Sequence, residues 1–166
     1  LDCNTGRYSN VVATTECIGC AIGRYSNSAG AISNTTCNNC PDGKSAGVAG
    51  MSVCSACIAG TYFHNALGTD CIVCPLGRFT SSVGFSACIQ APAGRYVAIN
   101  GSTTSTACPT GKSSQIGSSA CENCASGTYS NQTGQTPCTP CGAGRYSVTV
   151  GATSVQTCTA CPQGKY

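Results

Sequence analysis

Residues 71 to 88 run Cys71-Ile-Val-Cys74-Pro-Leu-Gly-Arg-Phe-Thr-Ser-Ser-Val-Gly-Phe-Ser-Ala-Cys88, and the rest of the 166-residue chain is this stretch again. Let a and b denote the first and second cysteine of each Cys-x-x-Cys pair, so that a repeat runs from one b position to the next a position. The b positions are Cys3, Cys20, Cys40, Cys57, Cys74, residue 91, Cys108, Cys124, Cys141 and Cys161. Their spacing is mostly 17, with 16 once and 20 in the repeats opening at Cys20 and Cys141. A fixed period of this size marks a solenoid or linear array. The expected organisation over residues 1–166 is nine complete units and a partial tenth, cut from a longer chain.

The register holds beyond the cysteines. The third residue after b is Gly in every repeat, from Gly6 to Gly164. The next position takes every Lys and Arg (Arg7, Arg24, Lys44, Arg78, Arg95, Lys112, Arg145, Lys165), with Thr61 and Thr128 as exceptions. The one after takes every Tyr (Tyr8, Tyr25, Tyr62, Tyr96, Tyr129, Tyr146, Tyr166), with Phe79 as a near equivalent and Ser45 and Ser113 as gaps. A second Gly commonly precedes the next a position by four residues, as Gly50, Gly84 and Gly134 do; in the long repeats it is Gly30 or Gly151, and the three extra residues follow it. Gly punctuates turns because it tolerates positive φ. Each repeat is therefore expected to be two short extended pieces joined by a Gly turn.

Composition says what orders such a chain. Leu, Ile, Val and Phe number only 24 together, too few for a conventional core. The net charge of +3 does not favour a self-repelling disordered chain. Seventeen cysteines, about one residue in ten, place the chain among disulfide scaffolds of oxidising compartments. Three sequons, at Asn34, Asn100 and Asn131, are glycan acceptors in a secreted eukaryotic chain. No stretch is long and apolar enough to span a membrane, and no signal peptide opens the sequence.

One repeat is degenerate. Position 91 is Ala in place of the b cysteine, and position 105 is Ser in place of the following a cysteine, while Gly94, Arg95 and Tyr96 stay in register. If each b pairs with the next a, these two losses delete one bridge and orphan nothing. That suggests Cys3–Cys17, Cys20–Cys37, Cys40–Cys54, Cys57–Cys71, Cys74–Cys88, Cys108–Cys121, Cys124–Cys138 and Cys141–Cys158, with Cys161 unpaired because its partner would lie beyond residue 166. A closed loop of about 15 residues is worth about 3 kcal/mol on chain entropy. The bridges, rather than oily packing, are expected to order the chain.

The same residues admit other chemistry. Repeated Cys-x-x-Cys pairs also suit a zinc ribbon, but that would leave Cys88 and Cys108 in incomplete sites with no His at ligand spacing. No βαβ pattern surrounds any pair, which argues against redox catalysis. Tyr and Arg stripes could form a binding face through cation–π contacts; the alternative is that Tyr covers a neighbouring disulfide while Arg and Lys keep the surface soluble. Eight basic residues balanced by five acidic ones make too weak a field for nucleic acid. His64 lacks a nucleophile in a recognisable setting, no carboxylate pair recurs at a useful spacing, and Asp42 is the only acidic residue close to a turn Gly. No catalytic or metal residues and no cofactor are expected.

The unit seen as Cys121-Glu-Asn-Cys-Ala-Ser-Gly-Thr-Tyr-Ser130 and Cys138-Thr-Pro-Cys-Gly-Ala-Gly-Arg-Tyr-Ser147 resembles the ephrin-receptor-like cysteine-rich repeat, related in style to tumour-necrosis-factor-receptor modules. The resemblance covers the whole chain. It implies an extracellular array of the kind found in large proteins of protists and algae, and a stalk rather than an enzyme.

The expected fold is small and disulfide-rich: an elongated, solenoid-like rod of cysteine-rich units with short β-hairpins and little or no helix, each unit touching only its neighbours. The expected function is a structural extracellular glycoprotein forming a stiff stalk, surface coat or filament. Its expected partners are neighbouring repeats or further copies of itself and covalent glycans. The rival is a ligand-binding receptor ectodomain that uses the Tyr and Arg stripe.

Overall fold

The structure, a computed structural model of the chain, describes residues 2–11, 16–64 and 69–165. It divides into two compact bodies, Leu1–Cys74 with Thr80–Cys88, and Pro75–Phe79 with Ile89–Tyr166. Both are built from one local device. After each b position the chain turns back on itself, and the fourth residue after b donates its N–H to the carbonyl of the first. Lys44 does so to Pro41 at 3.1 Å and Arg95 to Pro92 at 3.0 Å. The Gly within this turn has φ near +80° (80° at Gly43, 79° at Gly94), which the third residue of a type II turn requires and a side chain resists.

Two residues of strand follow the turn and pair antiparallel with the two residues between a and b. Arg7–Tyr8 pairs with Ile18–Gly19, and Arg95–Tyr96 with Thr106–Ala107. Nine such two-stranded sheets occur among the described residues. The x-x of Cys-x-x-Cys is thus itself a strand. The hairpin is shut by the N–H of the next b residue, which donates to the turn Gly carbonyl: Cys57 to Gly43 at 3.0 Å, Cys108 to Gly94 at 2.8 Å. In the long repeats the extra residues wind into a single turn of 3-10 helix, Asn34–Thr36 and Val155–Thr157. Thr36 and Thr157 each donate a hydroxyl to the carbonyl of Ser33 or Ser154 at 2.9 Å. The chain is disulfide-rich, hairpin-built and almost without helix.

A two-stranded hairpin of this size is marginal in water by itself, so the stacking of repeats matters. In the first body the N–H of each turn Gly donates to the sixth residue after b in the next repeat: Gly6 to Ser26 at 2.7 Å, Gly23 to Ala46 at 2.8 Å, Gly43 to Phe63 at 2.8 Å, Gly60 to Thr80 at 3.1 Å. A return bond runs from the second Gly of a repeat to the preceding b carbonyl: Gly30 to Cys3 at 2.7 Å, Gly50 to Cys20 and Gly84 to Cys57, both at 2.8 Å. The second body repeats both bonds, with Gly94 donating to Ser114 at 2.9 Å and Gly134 to Cys108 at 2.8 Å.

Stacking reaches one repeat further than nearest neighbours. A Cβ on Gly6 would overlap the carbonyl of Gly50, two repeats on, and one on Gly43 would overlap that of Gly84. In the second body Gly77 meets Gly117, Gly94 meets Gly134 and Gly111 meets Gly151 in the same way. The expectation that each unit touches only its neighbours is therefore corrected. The reason is that the turn Gly presents bare backbone, which lets the carbonyl of the second repeat along come into contact.

The interior is not aliphatic. Ile32, Val148 and Ile99 are 82%, 80% and 72% exposed. Buried instead are most b cysteines, Ala91, and the sixth residue after b: Ser26, Ala46, Phe63, Thr80, Val97, Ser114, Ser130 and Ser147. The buried hydroxyls are all engaged: Ser114 donates to the Arg95 carbonyl at 2.8 Å, and Thr80 accepts from the Gly60 N–H at 2.7 Å. Such pairing removes the cost of burying a polar group. No helix among the described residues is long and apolar enough to cross a membrane.

Candidate functional site

The chemistry of this chain is concentrated at its bridges. Eight disulfides are present: Cys3–Cys17, Cys20–Cys37, Cys40–Cys54, Cys57–Cys71, Cys74–Cys88, Cys108–Cys121, Cys124–Cys138 and Cys141–Cys158. Sulfurs bonded to each other are not thiolates, so these sixteen have no lone thiolate to offer a metal. Cys161 is a free, half-buried thiol.

Two kinds of side chain attend several of the bridges. The aromatic residue of one repeat lies against the bridge of the next: Tyr25 packs on the buried cluster of Cys40, Ala46, Cys54, Cys57 and Phe63. It also lines an 80 Å³ groove with Pro41, Lys44, Val53 and Cys54. Tyr96 likewise lines a groove with Pro109, Lys112 and Cys121 of the next repeat. Arg, one position earlier, can bond within its own repeat. The guanidinium of Arg7 donates to the Cys17 carbonyl at 3.1 Å, and that of Arg145 to the Cys158 carbonyl at 2.9 Å. Arg24 instead reaches Asn39 Oδ1 at 2.9 Å across the hairpin. These arginines thus tie the two sides of the hairpin together, beyond merely keeping the surface soluble.

The degenerate repeat shows what stands in for a bridge. Ala91 is fully buried and Ser105 nearly so. The Arg95 guanidinium donates to Ser105 Oγ at 2.9 Å and also to the Ser105 carbonyl. A charge-assisted contact occupies the place of the covalent one.

Asn34, Asn100 and Asn131 are all exposed, as a glycan acceptor must be. His64 and Asp42 lie 3.7 Å apart, each about half exposed (49% and 46%), so that surface contact carries small energetic weight. Tyr166 lies outside the described residues. The grooves at Tyr25, at Tyr96 and at Ile22–Arg24 measure about 80, 250 and 190 Å³, below the roughly 300–1,000 Å³ of small-molecule pockets. The buried column six residues after b escaped the sequence reading. Its members, from Ser and Ala to Phe63, share a backbone role but neither size nor chemistry, and the one available signal was their fixed place directly after the Tyr position.

Residues 43–84, 60–108 and 111–158 match the protein family described as tyrosine-protein kinase ephrin type A/B receptor-like. Together these regions cover more than half of the sequence, and the chain belongs to this ephrin-receptor-like family. No curated protein matches it. The family's repeats are a non-catalytic domain type, and repeats with this density of disulfides are typical of extracellular proteins.

Proposed function

We propose that this chain is a structural segment of an extracellular glycoprotein, part of a stalk, surface coat or filament, and not an enzyme. Its neighbours would be further repeats of the same kind, in its own chain or in other copies, and N-linked glycans would occupy Asn34, Asn100 and Asn131. One observation carries the reading: several of the Arg and Tyr side chains that could have formed a recognition stripe are bonded or packed within the array. Arg7, Arg95 and Arg145 donate to the carbonyls at their own a positions, and Tyr25 packs on the following bridge. Repetition without an eccentric loop also favours a scaffold, since binding sites commonly interrupt one.

Electron microscopy of the native material tests this, with ordered fibres or a regular coat as the expected result. Discrete monomers that capture a soluble protein through the Tyr-bearing face would refute it and support the receptor ectodomain. Glycopeptide mapping of secreted material should find sugar on the three Asn residues, and bare asparagines would remove the glycoprotein part.

A further inference from the structure

The bridges are not equally protected, and the differences fall into a pattern. In the repeats opening at Cys40 and Cys108 the covering aromatic position holds Ser45 or Ser113. Their hydroxyls lie 3.2 Å from Cys71 Sγ and 3.3 Å from Cys138 Sγ. An oxidised sulfur has no proton to give, so the hydroxyl is the donor in both contacts. In the repeats that own these two bridges, the position of the Arg that reaches the a carbonyl elsewhere is also changed, to Thr61 or Thr128. These hydroxyls serve the local turn instead, donating to Ile58 and Ala125 carbonyls at 2.8 Å. Aromatic cover and guanidinium tie are therefore lost together, once in each body. Cys71 and Cys138 are half-buried, as are Cys17 and Cys121, whereas Cys37, Cys54, Cys88 and Cys158 are buried.

We propose that Cys138, and likewise Cys71, is a site of covalent modification by external thiols, at which Cys124–Cys138 and Cys57–Cys71 open ahead of the covered bridges. Cys124 and Cys57 are each 1% exposed, so an incoming thiolate reaches the bond from one side only. The thiolate sulfur bonds to Cys138 Sγ while the bond from Cys138 Sγ to Cys124 Sγ breaks. Cys124 leaves with the electron pair and takes a proton from water. A second thiolate attacking the mixed disulfide releases Cys138 as a thiolate and leaves the external thiol oxidised, so that two external thiols are oxidised as one protein disulfide is reduced. Rates of such exchange depend on access to the attacked sulfur as well as on thiol acidity. Each opening frees the loop between its cysteines without breaking any other bridge.

The test treats the oxidised chain with reduced glutathione, quenches with a maleimide at intervals and maps the peptides. Glutathione is expected on Cys138 and Cys71, with maleimide on Cys124 and Cys57, at least about tenfold faster than at Cys20–Cys37, Cys40–Cys54 or Cys74–Cys88, as uncovered against covered sulfurs should differ. Cys108–Cys121 is the internal control, because Cys121 is half-buried but the preceding repeat keeps its aromatic residue, Tyr96, in the groove that Cys121 lines. Its opening as fast as the favoured two would show that bare exposure sets the order and overturn the proposal. So would glutathione on Cys124 or Cys57. Ser113→Tyr should slow Cys138 alone and leave Cys71 unchanged; if that variant slows neither, the cover argument fails. Should it not fold, the ranking within the unsubstituted chain still decides.

Discussion

Replacing Gly94 with Ala adds one methyl group at a place where two separate demands meet. The residue has φ of 79°, a left-handed backbone that costs an L side chain about 1–2 kcal/mol. Its Cβ would also overlap the Gly134 carbonyl, two repeats away. Relieving that overlap parts the junction and strains two bonds, Gly94 N–H to Ser114 at 2.9 Å and Gly134 N–H to Cys108 at 2.8 Å. At about 1 kcal/mol each, these bring the expected loss to about 3–4 kcal/mol. Gly144→Ala is the matched control: φ is 74° and nothing lies within 4 Å of its added Cβ, leaving only the backbone cost of about 1–2 kcal/mol. Guanidinium unfolding with the bridges intact measures both. Amide exchange at Gly134 localises the effect, and a difference of about 2 kcal/mol corresponds to about a thirtyfold fall in protection. Equal losses for the two substitutions would refute the account in which close backbone stacking, and not merely turn geometry, fixes the turn Gly.

Phe63 is the largest fully buried side chain among the described residues, and Phe63→Ala should destabilise the first body by about 3 kcal/mol or more through the cavity left behind, seen as a lower melting temperature. Arg95→Ala removes both contacts to Ser105 and should cost about 1–3 kcal/mol, as for hydrogen bonds to a charged group; faster amide exchange around residues 105–107 would report it. Ala91→Cys combined with Ser105→Cys should form a ninth bridge, detected by mass as the loss of two hydrogens, and raise stability by up to about 3 kcal/mol. If the new cysteines remain free thiols, the degenerate repeat does not share the geometry of the others.

Much of this fold was open to sequence reading because its determinants are local. A Gly three residues after b, with Arg or Lys and then Tyr following it, describes a turn and the strand that leaves it, and Arg95–Tyr96 pairs with Thr106–Ala107 in that manner. The family was legible for the same reason, since its motif is those residues at that spacing. The roles of the side chains were less legible. Arg7 and Arg145 look like surface charges until the carbonyls of Cys17 and Cys158 are found within reach of them. Ser45 and Ser113 look like gaps in the Tyr column until their hydroxyls are seen against the next bridge.

By itself, then, the sequence determined the period, the hairpin within each period and the dependence on sulfur in place of an aliphatic interior. Only the tertiary structure decided which repeats touch, that Gly43 meets Gly84 across an intervening repeat, and that the residues after Tyr, Ser26 and Phe63 alike, are the buried ones. The physical reason is that repeats are joined through backbone N–H and C=O groups, which every residue but proline carries in full. A junction made of them leaves one trace in the sequence, a glycine where a side chain would not fit.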